Sequence, residues 1–135
     1  QMTDDEKKRF TVLADKYSLQ ASDFWKSPQG FVIISRRGIE KIQDGLNAEV
    51  IFDTVPEFSD PSESKYVVKA TGWITKDGKR TRTVETYGES SPKNTRGGAQ
   101  AYPVAMSEKR SLSRCILKLS DFYMLNVFSE DEINE

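Results

Sequence analysis

The sequence contains no histidine and a single cysteine, Cys115, in 135 residues. The missing histidine removes the Ser-His and Cys-His nucleophile pairs and the side chain most often used as a general base near neutral pH. A lone cysteine excludes an internal disulfide. With no histidine beside it, the common zinc sites are excluded as well. No tight Asp/Glu constellation falls on an expected rigid element, so magnesium held by carboxylates is not expected. The chain is therefore expected to be non-enzymatic and to need no cofactor. Long apolar runs are also absent. Nothing approaches the ~20 residues of a membrane-spanning helix, and no membrane partner is expected. No secretory leader stands out, and the unpaired cysteine suits a reducing compartment, so a cytoplasmic location is expected.

What is present reads as one globular domain over residues 1–135, with 36% apolar and 30% charged residues. The formal net charge of −1 hides a strong asymmetry. Residues 65–118 carry twelve Lys/Arg and four Asp/Glu, a local charge of +8. The rest carries eight Lys/Arg and seventeen Asp/Glu, a charge of −9. Such separation points to a polyanion partner for the middle of the chain.

Local signals give the element order. Thr3 with Glu6 has capping-box spacing, and Phe10, Leu13, Ala14 and Tyr17 repeat at helical spacing, so residues 3–17 are expected to be helical. Residues 20–30, with Pro28 and Gly30, read as a connection in which Phe24 and Trp25 serve as core or partner contacts. Ser35 suits the N-cap of a second helix running to about Leu46, with Ile39, Ile42 and Leu46 inward and Asn47 closing it. Residues 48–55 read as a strand. Asp77-Gly78 between two strand-like runs is a hairpin turn signal. In the first of those runs Tyr66, Val68, Ala70, Gly72 and Ile74 should face the core, and Gly72 suggests a bulge or a close backbone approach. In the second, Arg80, Arg82 and Val84 are expected on one face. A helix opened by Pro103 should reach about Leu119, with Ala105, Leu112, Ile116 and Leu119 as its inner stripe. Residues 126–135 are expected to be a flexible acidic tail that offers a protein partner a docking segment. The order is thus α-α-β-β-β-α: an α+β domain whose antiparallel hairpin and three-stranded sheet pack on the long C-terminal helix.

Three basic clusters fall in this frame. The stretch "SEKRSLSRCILK" (107–118) places Arg110, Arg114 and Lys118 four residues apart, one outward stripe on a helix, with Lys109 beside it. The hairpin carries Lys69, Lys76, Lys79, Arg80 and Arg82. The loop "SSPKNTRGG" carries Lys93 and Arg96 and lacks the Gly-Lys-Ser/Thr ending of a P-loop. Each cluster alone also suits a solvated helix face, a protected sheet edge or an ordinary loop. On consecutive elements they form one candidate surface for the backbone of a nucleic acid, with Trp73, Tyr87, Phe122 or Tyr123 as stacking faces. Cys115 reads as a small core residue.

The run "YVVKATGWITKDGKRTRTVETYGES" followed by "AYPVAMSEKRSLSRCILKL" resembles the core of the single-strand annealing proteins. These include the phage Red-beta and ERF groups and the eukaryotic recombination mediator of the same superfamily. The shared features are Lys76-Asp77-Gly78, Tyr87-Gly88, and Ala105, Arg110, Leu112 and Arg114 on the helix; "SRRGIEKIQDGLNAEVIFDTV" resembles the preceding helix–strand unit. The resemblance spans residues 31–123. It implies single-stranded DNA binding, ATP-independent pairing of complementary strands in recombination or repair, and assembly into rings or filaments. It also implies a basic groove between hairpin and helix. Arg114 matches the basic helix residue that faces DNA; Arg110, Lys118, Lys79, Arg80 and Arg82 match less closely. The alternative reading is a nucleic-acid-binding or regulatory interaction protein on the same fold that does not anneal.

Overall fold

The structure, a computed structural model, describes residues 2–133. Helix α1 (Asp4–Lys16) opens on the expected capping box: Thr3 Oγ1 accepts from Glu6 N at 3.2 Å, and Glu6 Oε1 accepts from Thr3 N at 2.9 Å. Strands β1 (Phe24–Lys26) and β2 (Val32–Ile34) follow. Ser35 then caps α2 (Arg36–Leu46) by accepting from Gly38 N at 3.0 Å, and Asn47 ends it at φ 53°. Next come β3 (Ala48–Thr54), β4 (Tyr66–Lys76), β5 (Lys79–Ser90), α3 (Pro103–Leu119) and β6 (Val127–Ser129). The fold is α+β, with α3 packed on a three-stranded antiparallel sheet of order β3-β4-β5. The order α-α-β-β-β-α holds, with three short strands added.

The hairpin turn has Asp77 at φ 53° and Gly78 at φ 76°, the two positive angles of a type I′ turn. Val68, Ala70, Gly72 and Ile74 face α3 together with their β5 partners Gly88, Thr86, Val84 and Arg82. A bulge interrupts this alternation: Ile74 pairs with Arg82 and Thr75 with Arg80, so Thr81 is the additional residue. Arg80 and Arg82 consequently leave on opposite faces, against the expectation that they share one.

Helix and sheet approach closely because both surfaces are stripped of side chain. Ser107, Ser111 and Cys115 recur every four residues along α3 and are buried. Opposite them, a Cβ on Gly88 would collide with Ser107 O and Ser111 N, and one on Gly72 would strike Cys115 Sγ. Hydroxyls bridge the seam. Ser107 Oγ donates to Tyr66 O at 2.9 Å, and Thr86 Oγ1 donates to Ser111 O at 2.7 Å. The expected inner stripe of α3 therefore divides. Leu119 joins Cys115 and Ala70 beneath the sheet. Ile116 and Leu117 enter the larger core with Tyr17, Ile34, Ile39, Ile42, Phe122, Leu125 and Val127, against which Leu112 packs. Ala105, expected in that stripe, is exposed.

That larger core is roofed by a second sheet of order β1-β2-β6, in which β2 runs antiparallel to β1 and parallel to β6. Two expectations are corrected here. The connection at 20–30 contains β1. The segment expected as a flexible tail is ordered through residue 133, because Val127 fills the core at 0% exposure and Ser129 and Asp131 are buried. Only its last two residues lie outside the described chain. No helix among the described residues is long and apolar enough to cross a membrane.

Gly88→Ala must separate α3 from β5, and should cost about 3 kcal/mol in urea unfolding. Gly98→Ala meets open space and should stay within ~0.5 kcal/mol.

Candidate nucleic-acid interface

Arg110 was expected to face outward; its side of α3 is instead covered by the end of β5 and the C-terminal turn, and Arg110 is 4% exposed. Its Nε donates to Asp131 O at 2.8 Å. Its Nη1 donates to Glu89 O at 2.8 Å and Asn94 Oδ1 at 2.9 Å, and its Nη2 donates to Asn94 O at 2.7 Å. Burial pushes this guanidinium below its ordinary range, with Glu132 pulling the other way. Arg110 is thus a clamp, with its donors spent on the protein.

Arg114 meets Glu132 through a two-pronged contact, Nε to Oε2 at 2.7 Å and Nη2 to Oε1 at 3.0 Å, and its Nη1 donates to Tyr87 O at 2.6 Å. Burial lowers its affinity for the proton, but the Glu132 carboxylate outweighs this and leaves it raised. The neighbouring acids are used in the same way. Asp131, buried, takes Arg36 Nη2 at 3.0 Å and Ser113 Oγ at 3.2 Å; that hydrogen bond raises the Arg36 guanidinium above its ordinary range. Glu130 Oε1 accepts from Arg36 N at 2.6 Å. The acids expected to lie free for a protein partner are therefore engaged within the fold, Glu132 on Arg114 and Glu130 and Asp131 on Arg36.

The hairpin end differs. Arg82 lies on the helix-facing side, where its Nη1 donates to Leu119 O at 3.2 Å and Asp121 Oδ1 at 3.1 Å, tying the turn to the C-terminus of α3. Lys118, one residue earlier, sits with Nζ 5.1 Å from the Tyr123 ring centroid. On the outer face Arg80 lies over Trp73 with Cζ 3.8 Å from the ring centroid, and Trp73 Nε1 donates to Glu49 Oε2 at 2.9 Å. Lys76 and Lys79 are exposed at the turn. Lys69, farther along, is 3.7 Å from Glu85. Of the candidate aromatics, Phe122 is core at 0% exposure, whereas Tyr87 and Tyr123 are each nearly half exposed. Burial pushes the Cys115 thiol up to about 11, as befits a core residue.

In the loop, Lys93 is exposed and its N–H donates to Ser91 Oγ at 3.3 Å. Arg96, also exposed, lines a cavity with Trp25, Met106 and Glu130. The nine expected residues thus separate into a hairpin end (Lys79, Arg80, Arg82, Lys118), a helix pair taken up by contacts within the fold (Arg110, Arg114), a loop pair (Lys93, Arg96) and the outlying Lys69. Sequence reasoning missed the counter-ions Asp131 and Glu132 and the polar clamp Asn94; the acid-rich run after a basic helix was their only trace. No family model, curated protein or solved structure matches this chain.

Arg110→Met leaves the carbonyls of Glu89, Asn94 and Asp131 without their donor and should lower stability by about 3–5 kcal/mol. Arg114→Met, at a partly exposed pair, should lower it by only about 1 kcal/mol. Urea denaturation midpoints check both.

Proposed function

We propose that the chain binds single-stranded DNA through its hairpin end and pairs complementary strands without ATP. The observation that carries the binding is the placement of Lys76, Lys79 and Arg80, exposed on one turn and outside every carboxylate contact of the described residues. Arg82 and Lys118 stand where that turn meets the end of α3, with exposed Tyr123 beside Lys118. Such a surface holds phosphates as point charges and forks and offers an aromatic face, which suits a strand read through its backbone. Annealing rests on the resemblance of the hairpin–helix unit to the single-strand annealing proteins. So does assembly into a ring or filament, whereas a cytoplasmic setting rests on the unpaired Cys115.

Binding of a labelled single strand should weaken with salt, with a log–log slope of about −2 to −3 for three or four phosphates. Reversing Lys76, Lys79 and Arg80 to Glu together should abolish binding while lowering stability by only about 1 kcal/mol, the share of the lost Arg80–Trp73 stack. Equal binding by this variant would refute the hairpin site. Mixing complementary oligonucleotides with the protein should accelerate duplex formation at low salt; binding without acceleration would refute the annealing step and leave the non-annealing alternative.

A further inference from the structure

The cavity beside Arg96 lies at the other end of α3 from the hairpin turn. It measures about 210 Å³ and is lined by Trp25, Arg96, Ala99, Met106, Glu130 and Ile133 among others. Its walls come from four places that are distant in sequence: β1, the loop before α3, the first turns of α3 and the C-terminal turn. Three features distinguish it from a packing defect. Trp25 is 44% exposed although it sits in a paired strand, so an indole face remains open. The Arg96 side chain has neither a hydrogen bond nor an ion pair among the described residues. Glu130 has one oxygen engaged by Arg36 N and leaves Oε2 as an acceptor.

We infer that this cavity receives one unstacked base of a bound single strand, with Trp25 as its stacking face, Glu130 toward its donor edge and Arg96 on the adjoining phosphate. The size supports this assignment. Sites that enclose a whole small molecule measure ~300–1,000 Å³, so this one takes a ring system and leaves sugar and phosphate at the rim, where Arg96 stands. An aromatic face accepts any base, and a guanidinium fork takes two phosphate oxygens. The inference rests on the reading of the chain as a single-strand binder. It adds a second contact about 25 Å from the first, the length of a 17-residue helix.

The test uses a labelled 15-nucleotide oligothymidylate followed by anisotropy, together with tryptophan emission. Trp73 lies beneath Arg80 of the hairpin site and also responds to binding, so the part of the emission change that is lost when Trp25 is replaced reports Trp25. Trp25→Ala should weaken binding roughly tenfold. Trp25→Phe should restore affinity while removing the Trp25 share of the emission change and leaving the Trp73 share. Arg96→Ala, at an exposed residue without a partner, should keep the unfolding midpoint and reduce the salt slope by about 0.7, one phosphate's share. Wild-type affinity and slope in both alanine variants, with binding still abolished by the hairpin reversal, would overturn the base site and leave the binding reading standing. Absence of any binding by the wild-type protein would overturn the reading and the base site together.

Discussion

Three segments of this molecule meet on a buried guanidinium that no carboxylate among the described residues contacts. The acceptors around Arg110 are three backbone carbonyls and one side-chain amide, drawn from the end of β5, the turn after it and the C-terminal turn. A charge taken out of water must be met by dipoles or counter-charges, or its burial costs several kcal/mol. These segments cannot adjust independently, because each supplies part of one solvation shell. The same residue explains the rim of the sheet. Arg110 and Arg114 donate to Glu89 O and Tyr87 O on the edge strand β5, occupying carbonyls that an unprotected edge would offer to another chain.

From this clamp follows the distribution of charge. Counting residues gives the middle of the chain +8, yet on the helix Arg114 is met by Glu132 and Arg110 is enclosed by carbonyls, while Asp131 meets Arg36 of α2. The cations of the hairpin turn and of the loop before α3 stay exposed, as does Lys65, with Lys109 half-buried on the helix. Because Arg110 and Arg114 are taken up by the fold, a polyanion would touch the two ends rather than follow a continuous stripe.

Signals confined to a few neighbouring residues were legible in the sequence. Thr3 with Glu6, Ser35, Asn47, Asp77-Gly78 and Pro103 each dictate their own backbone conformation, and each sits where its chemistry placed it. The second sheet was not legible, because three-residue strands carry almost no periodicity and β2 finds its parallel partner 95 positions later. Spacing correctly put Arg110 and Arg114 on one helix face. It could not show whether that face meets water or a carboxylate from a distant turn. For Arg80 the alternation failed at a single residue, since the bulge at Thr81 reversed its side.

The parallel pairing of β2 with β6 bears on how the molecule reaches this state. The hairpin and the helices form from near neighbours, whereas the β2–β6 ladder and the Arg36–Asp131 contact close a loop of 95 residues and so come late. Until residues 131 and 132 arrive, Arg114 lacks its carboxylate and Arg110 lacks one of its carbonyls. An incompletely folded chain thus displays more unpaired cations than the native one. Any polyanion present during folding binds that earlier species more tightly, and by mass action it delays the closing step.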